Sequence, residues 1–143
     1  MNTKRQEGFG FLLADVSRLM RRAFQRHLQG TDLTLAQARA LVHVSRREGL
    51  RQVDLADFLE IQPITLARIV DQLTAKGLVE RRPDPTDRRA YQLFLTAEAG
   101  VALDTIDQAT IAIRALALRD LNPEQAALAA SVLQKVRDNL AAP

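Results

Sequence analysis

The chain has no cysteine and no tryptophan, and its aromatic residues are five phenylalanines and one tyrosine. The absence of cysteine excludes disulfides, thiolate zinc sites and cysteine-based redox sensing. No apolar run approaches the roughly 20 residues of a membrane span, and Met1 to Gly10 lack the basic-then-apolar layout of a signal peptide. We therefore expect a cytoplasmic protein with no membrane partner. Because aromatic residues are so few, helices packed on helices are favoured over a β-sandwich.

The residues that are present have the composition of one folded domain. The chain has 143 residues, of which 47% are apolar, and this is enough for a core. No repeat or linker divides it, so we predict a single domain over residues 1–143. Lysine occurs only at Lys4, Lys76 and Lys135, so the basic residues are almost all arginine. Arginine suits phosphate and guanine, although the codon usage of a GC-rich genome would produce the same bias.

Apolar spacing predicts three helices in the first half of the chain. The first is amphipathic and runs from Phe11 to Leu28. The second begins at Thr34, whose hydroxyl can form a reciprocal cap with Gln37. The third is short, with a predicted apolar side at Val53, Ala56 and Leu59.

A fourth helix is predicted between Pro63, which suits a first helical turn, and Gly77, which suits the residue just past the end. Thr65, Arg68 and Gln72 recur at spacings of three and four, so they share one polar face. The opposite, apolar face should be buried, and it carries Leu66, Ile69, Val70 and Leu73.

Beyond the fourth helix the pattern indicates a β-hairpin. Two strands are predicted at Leu78–Arg82 and Tyr91–Leu95, around a basic Pro83–Arg89 loop. Three helices and a hairpin over residues 34–96 are the parts of a winged helix-turn-helix, whose last helix enters the major groove of DNA. The predicted fold class is therefore mainly α, with this winged unit flanked by N- and C-terminal helices.

The candidate DNA contacts lie on the fourth helix and on the wing. Arg68 could take guanine, Gln72 or Gln62 could reach adenine, and Thr65 could touch a phosphate or a thymine methyl. Pro63 leaves neighbouring amides near a helix N-terminus open to phosphate. The wing arginines could follow the DNA backbone or enter the minor groove; each alone could equally be a solvated charge, but they cluster at the hairpin. These arginines are Arg81, Arg82, Arg88 and Arg89.

The wing also carries a resemblance to a known family. Asp87-Arg-Arg89 followed by Leu95-Thr96 is similar to the Asp-x-Arg-(five residues)-Leu-Thr signature of MarR-family regulators, and Asp71–Arg81 resembles that family's recognition-helix exit. The resemblance implies that Asp87 pairs with a basic residue and braces the wing, while Arg89 reaches DNA and Arg88 assists. It further implies a homodimer, a palindromic operator and, often, release by a small aromatic or anionic effector.

The flanking helices independently suggest a dimer. They cover residues 9–30 and 97–142, and we predict that Thr96 caps the fifth helix and that Asn122 forms a reciprocal cap with Gln125 on the sixth. The winged unit is too small to cover the apolar faces of all three, so we expect dimerisation, although an intramolecular bundle is the alternative. Two reading heads would then lie about 34 Å apart on a pseudo-palindromic operator.

An enzyme is not expected, because no nucleophile beside a base, metal-ligand cluster or phosphate loop can be assembled from these residues. We accordingly predict no cofactor and no metal. His27 and His43 are the only histidines, and both lie between apolar positions. Arg18, Arg21 and His43 are candidates for binding an anionic effector, with solvent-facing ion pairs as the alternative for the two arginines.

A different function class is an architectural or nucleoid-organising winged helix that binds DNA with little sequence preference. Such a protein would not need the polar face formed by Thr65, Arg68 and Gln72. We therefore favour a sequence-specific regulator, and a repressor in particular.

Overall fold

A computed structural model describes residues 8–142 of the chain. Residues 1–7 and 143 lie outside this range. The prediction that Met1 to Gly10 do not form a signal peptide therefore lies mostly outside the described residues, and so do both ends of the predicted domain. The elements follow one another as α1 (Phe9–Leu28), α2 (Leu35–Arg46), β1 (Leu50–Arg51), α3 (Gln52–Leu59), α4 (Pro63–Ala75), β2 (Val79–Pro83), β3 (Tyr91–Leu95), α5 (Ala99–Ala117) and α6 (Pro123–Ala141). The mainly helical winged architecture is as predicted.

Two helix starts form the reciprocal caps expected from the sequence. At α2, Thr34 Oγ1 accepts from the Gln37 amide at 3.1 Å, and Gln37 Oε1 accepts from the Thr34 amide at 3.2 Å. Asn122 and Gln125 form the same pair at α6, with distances of 2.8 and 3.0 Å. Each pair satisfies amides that a helix start leaves without partners.

The predicted cap of α5 by Thr96 is wrong. Helix α5 begins at Ala99, and the side chain of Glu98, the residue before it, forms no cap hydrogen bond with the described residues. The Thr96 hydroxyl instead donates to the carbonyl of Gly77 at 2.5 Å, and its amide donates to the carbonyl of Leu78 at 3.1 Å. Thr96 directly follows β3, so its hydroxyl and amide donate to the chain leaving α4, and only its carbonyl accepts from the first residue of α5, Ala99.

The sheet contains a third strand that the sequence pattern did not predict. Its order is β1-β3-β2, and both pairings are antiparallel. The hairpin register runs from Val79 opposite Leu95 to Pro83 opposite Tyr91. Strand β1 has only two residues, too few to show an alternating pattern in the sequence. It pairs with β3, with Arg51 opposite Gln92.

The hydrophobic core lies within the winged unit and where α5 meets it. The predicted apolar stripe of α4 is buried throughout. Val53 was expected on the buried side of α3, but it is exposed, and Leu55 takes that place beside Ala56 and Leu59. Burying a side chain of this size contributes about 2 kcal/mol. The largest fully buried side chains are Leu41, Leu55, Leu66, Leu73, Leu93 and Ile106.

The flanking helices are covered unequally, since α5 has five buried residues whereas α1 has two. Helix α1 packs on α5, while none of the nineteen described residues of α6 is buried. None of the helices formed by residues 8–142 combines the length and the apolar character needed to cross a bilayer. Exposed apolar side chains are concentrated in these helices and include Phe9, Phe11, Leu12, Val16, Leu19, Ile111, Leu116, Leu128, Val132, Leu133 and Leu140.

Candidate nucleic-acid interface

Helix α4 presents a polar surface at its N-terminal half. Pro63 occupies its first turn and Gln62 is the residue before it, and no side chain from residues 8–142 caps this helix start. Thr65 and Arg68 are both exposed. The helix therefore offers uncapped amides, a hydroxyl and a guanidinium on one side, and each can hydrogen-bond to DNA phosphates or base edges.

Gln72 shares that face but is partly engaged within the protein. Its Oε1 accepts from Nε2 of Gln37 at 2.9 Å, and Gln37 is buried. Gln37 Oε1 in turn accepts from Lys76 Nζ at 2.9 Å, and Lys76 also donates to the carbonyl of Asp32. The Gln72 carboxamide oxygen thus ties the C-terminal half of α4 to α2.

Arg81 does not project from the wing as a free charge. Its Nη1 pairs with Asp71 Oδ1 at 2.6 Å, its Nε donates to Gln52 Oε1 at 2.9 Å, and its Nη2 donates to the carbonyl of Ala67 at 3.1 Å. Only 24% of its side chain is exposed. The sequence placed Arg81 with the DNA contacts, whereas the structure turns it inward against α3 and α4.

The remaining wing arginines face outward. The guanidinium of Arg82 lies 4.0 Å from the ring centre of Phe94 and pairs with Glu80 at 2.6 Å, on the outer side of the hairpin. Arg88 and Arg89 are exposed in the loop between β2 and β3, and within residues 8–142 neither takes part in an ion pair. They are the wing charges most available to a phosphate backbone.

The carboxylate that braces the wing is Asp84, not Asp87. Asp84 is buried; its Oδ2 accepts from Arg51 Nε at 2.7 Å, and its Oδ1 accepts from the amide and hydroxyl of Thr86 at 2.8 and 2.7 Å. These hydrogen bonds, those from Thr86 first, lower the pKa of Asp84 to about 2. Asp87 is exposed, and within residues 8–142 its carboxylate accepts only the Arg89 amide.

The physical reason for this correction is strand β1. It pairs with β3 and brings the Arg51 side chain within reach of Asp84, the residue that follows β2, and Arg51 Nη2 also donates to Thr86 Oγ1 at 3.2 Å. A two-residue strand leaves no periodicity in the sequence, so the partner of the brace could not be assigned. The sequence Asp84-Pro-Thr86 was the available signal for Asp84, because an aspartate side chain can accept a hydrogen bond from the backbone two residues on and so form a turn.

Two of the three effector candidates line one cleft. Arg21 and His43 border a cleft of about 240 Å³ between α1, α2 and α5, together with the apolar side chains of Met20, Phe24 and Val42. Its third basic residue is Arg39, which sequence reasoning missed although it lies one helical turn before His43. Arg18 is not in this cleft, because it pairs with Asp15 on the exposed side of α1 at 2.8 Å.

The surroundings of His43 favour its neutral form. Burial lowers the pKa of His43, and the nearby positive charges of Arg39, Arg46 and Arg47 lower it further. Its ring stacks on Phe58, with the ring centres 6.1 Å apart. His43 is therefore a neutral aromatic wall of the cleft near neutral pH, and the positive charge there belongs to arginine. Among residues 8–142, no three histidine or carboxylate side chains are grouped as a metal site would require.

Comparison with known proteins identifies the class to which this fold and site belong. The MarR family model matches residues 31–90, the part that contains α4 and most of the wing. The transcriptional repressor NicR of Pseudomonas putida is 30% identical over 131 residues, which are 87% of this chain and 83% of NicR. The multiple antibiotic resistance protein MarR of Escherichia coli K12 is 32% identical over 87 residues, or 61% of this chain.

A crystal structure of MarR superposes with a TM-score of 0.85 at 26% identity, covering 98% of this chain and 95% of that one. The chain spans 60% of the length of the E. coli protein and 41% of the length of a further curated relative. The chain belongs to the MarR family. Its relatives are named as transcriptional regulators, not as enzymes.

Proposed function

We propose that the protein is a sequence-specific DNA-binding repressor that acts as a homodimer on a pseudo-palindromic operator. The observation that carries this proposal is the exposed pair Thr65 and Arg68 on α4, beside an uncapped helix start. In a winged helix-turn-helix this surface enters the major groove, where each base pair presents its own pattern of donors and acceptors. A hydroxyl and a guanidinium on that face can therefore read sequence.

The loop between β2 and β3 supplies contacts of a second kind. Arg88 and Arg89 are exposed there, while Asp84 and Arg51 hold the base of the loop. Because phosphates are the same at every base pair, contacts from this loop set affinity and register rather than sequence preference. Helix α4 thus reads the bases, and the wing binds the DNA backbone.

The homodimer is supported by the uncovered apolar faces of the flanking helices. Phe11 on α1 is 74% exposed, and Leu140 on α6 is 81% exposed. Leu12, Val16 and Val132 border one broad groove between α1 and α6. Apolar surface of this extent is costly in water and is the usual sign of an interface. Pairing two chains through it presents two copies of α4 to one duplex.

Release by a small aromatic or anionic effector is supported by the cleft that Arg21, Arg39 and His43 border. Apolar side chains form most of its lining, and the two guanidinium groups provide the positive charge. A ligand that combines a ring with an anionic group would satisfy both features. The cleft lies between dimerisation helices and α2, so a bound ligand would bias how the reading heads are spaced.

The function is tested by selecting duplexes from a random-sequence pool with the full-length protein, followed by fluorescence anisotropy on the enriched and on scrambled duplexes. A specific regulator enriches a two-fold related sequence and binds it at least about 10³-fold tighter than scrambled DNA. An architectural binder enriches nothing and binds both alike, and that result would overturn the proposal.

Two variants separate the proposed roles. Arg68→Ala should cost about 1 to 3 kcal/mol on the enriched duplex and relax the preference at one base pair per half-site. Arg89→Ala should weaken binding to all duplexes similarly and reduce the salt slope by about one. If Arg68→Ala leaves the sequence preference intact, α4 is not the reading element.

The effector is tested with benzoate, the simplest aromatic carboxylate, added to the preformed complex with the enriched duplex. Benzoate should release DNA from the wild-type protein, and Arg39→Gln should raise the concentration required, while Arg18→Gln, outside the cleft, should not. Release that is equally sensitive in Arg39→Gln and the wild type would remove the cleft from the proposal.

A further inference from the structure

Arg81 is the residue whose surroundings differ most from the role expected of a wing arginine. All three nitrogens of its guanidinium have partners within the chain: Asp71, Gln52 and the carbonyl of Ala67. A side chain that is only 24% exposed would have to give up these partners to reach a phosphate. Hydrogen bonds in which the donor is charged are stronger than those between neutral groups, so giving up three of them is unfavourable.

The three partners belong to different elements. Asp71 and Ala67 lie one turn apart on α4, Gln52 begins α3, and Arg81 itself lies in β2 opposite Leu93 of β3. One guanidinium therefore connects both helices of the helix-turn-helix to the sheet from which the wing extends. Its planar fork sets direction as well as distance, which a flexible ammonium cannot do.

We propose that Arg81 is a positioning residue that sets the orientation of α4 relative to the wing and thereby determines sequence preference without touching DNA. This inference rests on the proposed function, because it concerns how the two DNA-binding elements are aligned. Arg68 can reach base edges while Arg88 and Arg89 lie on the backbone only if α4 and the wing keep one mutual geometry. A site that its supporting contacts leave about 1 Å too loose no longer holds its groups in the productive geometry.

Asp71 is the second half of this device. It lies on α4 one residue before Gln72, and its side chain is 65% exposed. An acidic group near a DNA-binding surface repels phosphates, so its presence there is explained by the pairing with Arg81 rather than by DNA contact. Removing its charge therefore separates the two interpretations of Arg81, because it frees the guanidinium without removing it.

The test measures the ratio of affinities for the enriched and scrambled duplexes, together with the salt slope on scrambled DNA. Arg81→Lys keeps the positive charge but cannot bridge three partners, so we expect the ratio to fall about tenfold, the size of one lost base contact, with the salt slope unchanged. Asp71→Asn, which leaves Arg81 in place, should lower the same ratio by about threefold. Arg18→Lys makes the same exchange on α1, outside the DNA-binding surface; it is the matched control and should leave both quantities unchanged.

Two results would overturn the inference. One is an Arg81→Lys protein with the wild-type ratio, paired with an Arg81→Ala protein whose salt slope falls by about one, because that is the behaviour of a phosphate contact. The other is an Asp71→Asn protein with an unchanged or higher ratio. If the wild-type protein itself does not discriminate between the duplexes, the proposed function fails and this inference fails with it. If the wild type discriminates and the variants give either result above, the inference fails alone, so the two failures are distinguishable.

Discussion

The winged unit from Thr34 to Thr96 and the helices that flank it differ in how far their apolar side chains are buried within the chain. In the winged unit Leu41, Leu66 and Leu93 are fully buried within one chain. In α6 no described residue is buried, and in α1 only Ala23 and Leu28 are. The first region can be stabilised by its own core, whereas the second has apolar faces that require another surface.

This difference indicates how folding and function are divided in the molecule. The reading surface, the wing brace and the Arg81 contacts all lie in the region with its own core. Their geometry therefore depends on intrachain packing. The spacing of two such surfaces would depend on the flanking helices, so a ligand between the two regions could change spacing without disturbing the reading surface.

The largest expected effect is on the flanking region. Val132→Asp would place a charge on the apolar face of α6, and burying it at an interface costs at least about 3 kcal/mol, over a hundredfold in the dimer dissociation constant. Sedimentation velocity would measure this. Gln134→Asp, on the other side of the same helix, is the control. If both variants sediment like the wild type, α6 is not at the interface and the comparison between the regions loses its basis.

A large effect on stability is expected in the winged unit. Leu66→Ala removes a fully buried side chain from α4 and should lower the free energy of unfolding by about 2 to 5 kcal/mol. Ile64→Ala, two residues earlier in the same helix and 68% exposed, should change it by about 0.5 kcal/mol or less. Urea denaturation compares the two. Similar losses would mean that the unit has no core of its own.

An acid-dependent effect is expected at the wing brace. Because folding lowers the pKa of Asp84 from 3.8 to about 2, its ionised form stabilises the fold at pH values above 3.8, and this contribution is lost as the pH falls toward 2. Asp84→Asn should therefore be less stable than the wild type near neutral pH, and the difference should shrink between about pH 5 and about pH 2.

Denaturant titrations at several pH values measure this difference. Asp87→Asn is the control, because Asp87 is exposed and its carboxylate accepts a single backbone amide from the described part of the chain. A gap between the wild type and Asp84→Asn that stays constant down to pH 2 would show that the Asp84 carboxylate is not held ionised by Thr86 and Arg51. The brace would then be a packing feature rather than an electrostatic one.

The smallest effects are expected at the two matching helix caps. Thr34→Ala should lower the free energy of unfolding by about 1 kcal/mol and increase hydrogen exchange in α2 and in α4, since Gln37 joins the cap to Gln72. Asn122→Ala should increase exchange only in the first turns of α6, which has no such link. Exchange that spreads equally from both caps would argue against two regions with separate cohesion.

The sequence predicted these elements to different extents. Helix α4 was predicted from Pro63 to Gly77 because its start, its end and its apolar stripe are all local signals, and Gly77 adopts the left-handed φ of +72° that favours glycine. The reciprocal caps at Thr34 and Asn122 are local for the same reason. The error at Thr96 arose because its hydroxyl and amide bond to Gly77 and Leu78, well back along the chain. Helix α3 has eight residues, too few for apolar spacing to identify its buried side, and Val53 was assigned wrongly for that reason.

Sequence by itself determined the order of the helices, the hairpin and the exposed face of α4, because each depends on residues within a few positions of one another. Tertiary structure alone decided that Asp84 rather than Asp87 braces the wing, that Arg81 is engaged by α3 and α4, and that Gln72 bonds to Gln37. The partners in these three contacts are separated by 33, 10 to 29 and 35 positions respectively. Periodicity carries no information about such distant pairs, and it is the packing of the sheet against the helices that brings them within hydrogen-bond distance.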